Sequence, residues 1–181
     1  MQNIKELIFT YKDFPKKGIY FKDILGILRD PDTFNQLIGN MASSNIIKNA
    51  DAIISIDARG FIFGSAISLI SRKPMIVARK PGKLPGELIE ENYKLEYGES
   101  SLSIQKDSLD TYSKFAIIDD LLATGGTVNC VSKILKRNDK KATGLLVVVE
   151  LMKLKGREKF NFPIESFITF WCFLPNFNLK N

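Results

Sequence analysis

Residues 114–127, Lys-Phe-Ala-Ile-Ile-Asp-Asp-Leu-Leu-Ala-Thr-Gly-Gly-Thr, restrict the fold of this chain more than any other stretch. The run Phe115, Ala116, Ile117 and Ile118 shows no polar alternation, the pattern of a strand covered on both faces. It stops at two adjacent carboxylates, Asp119 and Asp120. A short turn then leads through Gly125 and Gly126 into a helical pattern whose apolar stripe is Val128, Val131, Ile134 and Leu135. A buried strand feeding a glycine turn and a helix is half of a βαβ unit. The expected class is therefore α/β, a mainly parallel twisted sheet flanked by helices.

The same alternation recurs along the chain. Residues 51–56 read as a buried strand and 61–71 as a helix, 75–78 as a short strand, 143–151 as another, 155–160 as a helical turn and 166–171 as the last strand. Asp30 as N-cap with Pro31 behind it opens a helix whose buried stripe is Phe34, Leu37, Ile38 and Met41. Ile4, Leu7, Ile8 and Tyr11 fall at helical spacing and predict an amphipathic helix over 3–11. Residues 14–23, with Pro15, Gly18 and several aromatics, read as a connecting loop. Gly60 and Gly64 are spaced for close helix packing. Residues 80–105 begin basic and rich in Pro and Gly. They then alternate over 93–97 and 101–105 around Gly98, a long excursion of the kind that serves as a lid or binding loop. At 181 residues the chain is expected to form a single domain over 1–181, with a small N-terminal hood at about 1–30 and a flexible lid at about 80–105.

Composition narrows the chemistry. There is no histidine, so Ser-His-Asp and Cys-His mechanisms and imidazole-dependent zinc sites are excluded. Cys130 and Cys172 lie far apart without CxxC spacing and read as reduced and structural. The net charge of +6 suits anionic ligands, but the lysines are spread along the chain, and no nucleic-acid partner is expected. The N-terminus lacks an apolar signal core and the longest apolar stretches are too short to span a bilayer, so a cytoplasmic protein without a membrane contact is expected.

Ala123, Thr124, Gly125, Gly126 and Thr127 join glycines to a helix N-terminus, which offers unpaired N–H groups to a phosphate. Neither G-x-x-x-x-G-K-[ST] nor G-x-G-x-x-G is present, so one terminal monophosphate is expected there rather than a triphosphate chain. Two carboxylates beside an anion repel it; Asp119 and Asp120 therefore call for ribose hydroxyls, a divalent cation, or both. A pair that merely caps the turn is the lesser reading of these two residues taken alone. Asp57, Ala58, Arg59 and Gly60 follow a strand and precede a helix, where open parallel sheets bind ligands, although an Asp-Arg surface pair fits the same residues. Arg79, Lys80 and Lys83 open the excursion and Glu96 lies near its far end, as in a lid over an anion.

Residues 119–127 resemble the phosphoribosyl pyrophosphate (PRPP) loop of type I phosphoribosyltransferases. Four further segments, 14–23, 57–61, 79–85 and 95–98, resemble the adenine-specific members of that family, and the likeness covers about residues 13–160. The resemblance implies transfer of a phosphoribosyl group from PRPP to adenine, giving AMP and pyrophosphate. It implies that residues 123–127 hold the 5-phosphate, that Asp119 and Asp120 engage the ribose, and that the turn from Asp57 to Gly60 receives pyrophosphate with Arg59, Arg79, Lys80 and Lys83. Phe21 would stack on adenine, with Ile19, Tyr20 and Lys22 around it. Glu96 would be the acid/base on the lid, beside Tyr97. It further implies Mg²⁺ carried by PRPP, with Asp119 and Asp120 as candidate contacts, and a homodimer in which Arg79 reaches the neighbouring site. Lys22 stands where the family usually has Arg, Tyr20 where it more often has an aliphatic residue, and the segment after Ser166 matches weakly.

Overall fold

The structure, a computed structural model, describes residues 4–95 and 98–171. Glu96, Tyr97 and Cys172 fall outside the described residues, as does most of the C-terminal aromatic segment.

The N-terminal hood differs from its sequence reading. A short 3-10 turn, Ile4–Leu7, gives way to strand β1 (Phe9–Lys12), which pairs antiparallel with β2 (Tyr20–Asp23), Thr10 opposite Lys22 and Tyr11 opposite Phe21. The helical spacing of Ile4, Leu7, Ile8 and Tyr11 is outweighed because Phe9, Thr10 and Tyr11 favour extended backbone, and burial alternates with period two through Ile8 and Thr10. Residues 14–23 are accordingly a loop only to Ile19.

The body follows the expected order, α1 (Pro31–Ala42), β3 (Ala52–Ile56), α3 (Gly60–Ser71) and β4 (Met75–Ala78), with an additional short helix α2 (Asn45–Lys48) between α1 and β3. The Asp30 side chain accepts from Thr33 N–H at 2.9 Å, the cap that starts α1. An antiparallel hairpin, β5 (Leu88–Leu95) and β6 (Gly98–Gln105), forms the excursion. After α4 (Lys106–Asp110) come β7 (Lys114–Leu122), α5 (Gly126–Arg137), β8 (Lys141–Leu151) and β9 (Ile164–Phe170). Five parallel strands in the order β4-β3-β7-β8-β9 make the central sheet.

Each face of this sheet carries its own core. Ile54, Ile117, Leu145 and Val147 pack with Val128, Val131 and Ile134 of α5 and with Leu102 and Ile104 of the hairpin. Ile53, Ala116, Ile118 and Leu146 pack on the other side with Leu37 and Met41 of α1 and Phe63 and Ile67 of α3. Alternate residues of one strand thus feed opposite cores, which is why β3 and β7 read as unbroken apolar runs. Gly64 lets α3 approach closely: a Cβ there would lie 2.3 Å from Ser55 Oγ. No helix among the described residues is long and apolar enough to cross a membrane.

Candidate active site

The carboxyl ends of β3, β4, β7 and β8 converge on one edge of the sheet, where parallel topology collects the loops that bind ligands. Helix α3 is fixed to the strand before it by Ser55 Oγ, which donates to Gly60 O at 2.7 Å. That anchoring presses the turn from Asp57 to Gly60 onto β7. A Cβ at Gly60 would lie 3.1 Å from both Asp119 Oδ1 and Ile118 O, so the turn and the acid pair touch. The Asp57–Ala58 peptide bond within the turn is cis.

Charge organises this contact. Arg59 Nη2 lies 2.7 Å from Asp120 Oδ2, yet off the hydrogen-bonding axis: neither Asp120 Oδ2 nor Arg59 Nη1 has an aligned partner among the described residues. The guanidinium also stands 4.9 Å from the centre of the Phe21 ring. Buried polar atoms left unpaired are costly and uncommon, so this pair is poised for a ligand that completes it. Asp119 is buried beside Asp120; burial first, then the neighbouring carboxylate, pushes its pKa well above the ordinary range. Asp120 N–H, donating to Asp119 Oδ1 at 2.8 Å, and the Arg59 charge oppose the shift without cancelling it.

The second half of the site is the start of α5. Gly125 takes φ 77°, a left-handed conformation, and the helix begins at Gly126 with no side-chain cap and no acidic residue in its first turn. Its first N–H groups are free of intrahelical partners and carry the positive end of the dipole. The loop is backed by the turn Gly156–Lys159. A Cβ on Gly156 would lie 2.2 Å from Ala123 O, and one on Gly125 would lie 3.0 Å from the Phe160 ring.

That turn is tied down by a clamp the sequence reading missed. Arg157 donates from Nε and Nη2 to the two oxygens of Glu150, at 2.7 and 2.6 Å, and Ser166 Oγ donates to Glu150 Oε2 at 2.8 Å. The available signal was Glu150 itself, a carboxylate ending the apolar strand β8, which must be paired if buried. Arg157 holds the Glu150 pKa below the ordinary carboxylate value, and Ser166 adds to this against the cost of burial. A depressed folded-state pKa gives stability that is present above the ordinary value and is lost as pH falls through the folded one. Arg157→Met is therefore expected to destabilise the protein by about 2 kcal/mol at neutral pH, less than a fully buried pair because Arg157 is partly exposed. The difference should shrink as acid unfolding is followed below pH ~4, which thermal melts across pH check.

The remaining candidates fall as follows. Asp57 Oδ2 pairs with Arg79 Nε at 3.1 Å, and Arg79 Nη1 donates to Lys83 O at 3.3 Å, so in the single chain Arg79 is held against its own turn. Lys80 and Lys83 are exposed. Phe21 meets Phe14 edge-on, with ring centres 5.1 Å apart. Its neighbour Lys22 takes the opposite face of β2, where Nζ donates to Thr10 Oγ1 at 2.8 Å and lies 4.2 Å from the centre of the Phe170 ring. Burial lowers the Lys22 pKa. The N–H and C=O of Ile19 are engaged within the hood loop, by Lys16 O and Phe14 N. Tyr20 opens β2 opposite Lys12.

An acid pair ending the central strand of a five-stranded parallel sheet, next to an uncapped helix N-terminus and under a hood, is the construction of a type I phosphoribosyltransferase. No family model matches the sequence. An adenine phosphoribosyltransferase of Prochlorococcus marinus (strain MIT 9515) is 71% identical over 165 residues, 91% of this chain and 96% of the relative. The crystal structure of adenine phosphoribosyltransferase from Thermoanaerobacter pseudethanolicus superposes with a TM-score of 0.85 at 40% identity, covering 92% of this chain and 98% of that one. The Saccharomyces cerevisiae enzyme, complexed with an imino-altritol bisphosphate and adenine, gives 0.83 at 32% identity over 92% of this chain and 97% of that one. The chain belongs to the adenine phosphoribosyltransferase family.

Proposed function

We propose that this chain transfers the 5-phosphoribosyl group of PRPP to adenine, giving AMP and pyrophosphate, and so serves purine salvage. The observation that carries the site assignment is the Arg59–Asp120 contact, with unpartnered polar atoms on both sides, set between the turn from Asp57 to Gly60 and the open N-terminus of α5. PRPP needs those two anion sites separated by a place for a sugar.

In this reading, residues 123–127 hold the 5-phosphate through backbone N–H groups. Asp119 and Asp120 accept from the ribose hydroxyls and offset positive charge as it develops at carbon 1. Pyrophosphate lies over the turn from Asp57 to Gly60, near Arg59, with Arg79, Lys80 and Lys83 close by in sequence on the loop that follows. Phe21 faces the adenine, with Ile19, Tyr20 and Lys22 shaping the hood around it. The N9–C1 bond forms as the bond from C1 to the pyrophosphate oxygen breaks, and the N9 proton passes to a carboxylate. Glu96, on the lid with Tyr97, is the assigned acceptor, and lid closure keeps water from PRPP.

Among the described residues no group of three or more carboxylate or cysteine side chains forms a protein cage for a metal. Two adjacent carboxylates, one with an oxygen that faces Arg59 without an aligned hydrogen bond, fit a Mg²⁺ held mainly by the substrate's own oxygens. When bound, the ion would neutralise charge on the departing pyrophosphate. The chain works as one unit of body, hood and lid, and pairs as a homodimer; Leu69 and Ile70, 82% and 51% exposed at the end of α3, give it an apolar face to cover.

Turnover with PRPP, Mg²⁺ and each base in turn, followed by pyrophosphate release, tests the reading. Adenine is expected to exceed hypoxanthine, guanine, xanthine, orotate and uracil by at least about 10³-fold in kcat/KM, because a site built to pair one polar edge leaves its groups unpaired with another. Comparable turnover of another base would refute the specificity, and none with any base would indicate a PRPP or purine sensor. Glu96→Gln is expected to lower kcat on the order of 100-fold with little change in PRPP affinity. Unchanged turnover would remove Glu96 from the chemistry.

A further inference from the structure

The edge of the sheet opposite the active site holds a depression of about 1090 Å³, lined by six lysines and two aspartates. That leaves four unbalanced positive charges in one place, out of a net charge of +6 for the whole chain. The lysines come from separate elements: Lys48 ends α2, Lys114 and Lys141 begin β7 and β8, and Lys136 lies in the last turn of α5. Among the described residues no hydrogen bond or ion pair engages these four ammonium groups. Lys73 and Lys140 donate to the backbone carbonyls of Ala50 and Asp110, which fixes their charge at the rim without neutralising it. Of the acids, Asp51 is already committed, its carboxylate accepting from Ser113 and Lys114 N–H at 3.2 and 2.9 Å.

We propose that this groove binds a small anion carrying several phosphates, at a site separate from the catalytic one. Like charges crowded around a concave surface repel one another and focus a positive potential into it; a polyanion relieves the repulsion. The volume suits a nucleotide-sized ligand rather than a single phosphate. The ring of Phe162, which lines the groove and stacks on Phe160 with centres 5.1 Å apart and 22° between planes, offers a flat apolar wall to a base. Inorganic polyphosphate and nucleoside triphosphates share the required chemistry. Lys114 and Asp119 stand five residue steps apart along β7, roughly 17 Å, so occupancy does not block PRPP.

The test is calorimetric titration of the whole protein with inorganic tripolyphosphate and, separately, with GTP, the active site being filled with AMP in both. Saturable binding of about one equivalent is expected. It should weaken at least tenfold in the Lys136→Gln/Lys141→Gln variant and recover in Lys136→Arg/Lys141→Arg, while KM for PRPP stays within twofold of wild type. Tighter binding of GTP that is lost in Phe162→Ala assigns the nucleotide as the source; equal binding of both assigns the polyphosphate chain alone. Absence of binding, or binding that the Gln variant retains unchanged, overturns the proposal. So does a single-stranded RNA that binds this edge at least tenfold more tightly than either probe, which would make the groove part of a nucleic-acid surface.

Discussion

Asp120→Asn is expected to lower kcat/KM for PRPP by on the order of 10³-fold, about 4 kcal/mol of transition-state stabilisation. Three contacts depend on this one carboxylate. Its Oδ2 balances Arg59 at 2.7 Å, the same oxygen lacks an aligned hydrogen bond that a ribose hydroxyl or Mg²⁺ would complete in the proposed reading, and through Arg59 it orients the turn assigned to pyrophosphate. An amide keeps the shape and loses the charge, so Arg59 would swing toward solvent or toward Phe21. Asp119→Asn should also impair catalysis, by about 10²-fold, but the two changes should differ in stability. Asp119 has its folded-state pKa raised by burial and by Asp120. A carboxylate with a raised folded pKa favours the folded state most at low pH, and that contribution is lost as pH rises toward the folded value. An amide has nothing to titrate. The ligand-free Asp119→Asn protein should therefore melt above wild type at neutral pH, with a gap that closes toward pH ~4, whereas Asp120→Asn should melt below it. Paired kinetics and melts decide: wild-type kinetics in both variants would refute the sugar-clamp role, and no stabilisation in Asp119→Asn would refute the account of the buried acid.

Gly125→Val is expected to be the second most damaging change, raising KM for PRPP at least 100-fold and abolishing measurable AMP binding. A β-branched residue at φ 77° is strained whatever its surroundings. Here the surroundings are also closed, with the Phe160 ring and Gly156 O at 3.0 and 3.1 Å from the position of a Cβ. The loop can relieve both only by turning its N–H groups away from the proposed phosphate position. Gly125→Ala should fall between. Because β7 and α5 are anchored by their own buried faces, circular dichroism should remain native. A native fold with wild-type AMP affinity would show that the phosphate lies elsewhere.

The elements that surround these residues were readable where pattern and burial coincide. The strand from Phe115 to Ile118 and the stripe of Val128, Val131, Ile134 and Leu135 announced β7 and α5, because residues covered on both faces leave no polar alternation. β7, however, continues through Asp119 and Asp120 to Leu122, so the acids end a strand rather than begin a turn. Carboxylates are poor strand formers, and the pairing with β8, Asp119 opposite Val147 and Leu121 opposite Val149, carries the strand past them. The hood was misread because four residues at helical spacing outvoted a short, strongly extended sequence. The Glu150–Arg157 clamp was invisible for another reason: its partners are seven residues apart on different elements, and only the turn at Gly156 brings them together.

The lysines carry a related lesson. Spread along the sequence, they gave no block of charge, yet parallel strands all start at one edge and gather the residues that precede them. Strand β7 thus runs from the lysine edge at Lys114 to the acid pair at Asp119 and Asp120, so the crowded, unbalanced lysines lie at the end of the sheet away from the candidate site. On a negatively charged support it should settle with the lysine edge down. An immobilised layer would then present its catalytic mouths to the solution, with no tag or cross-link needed to orient them.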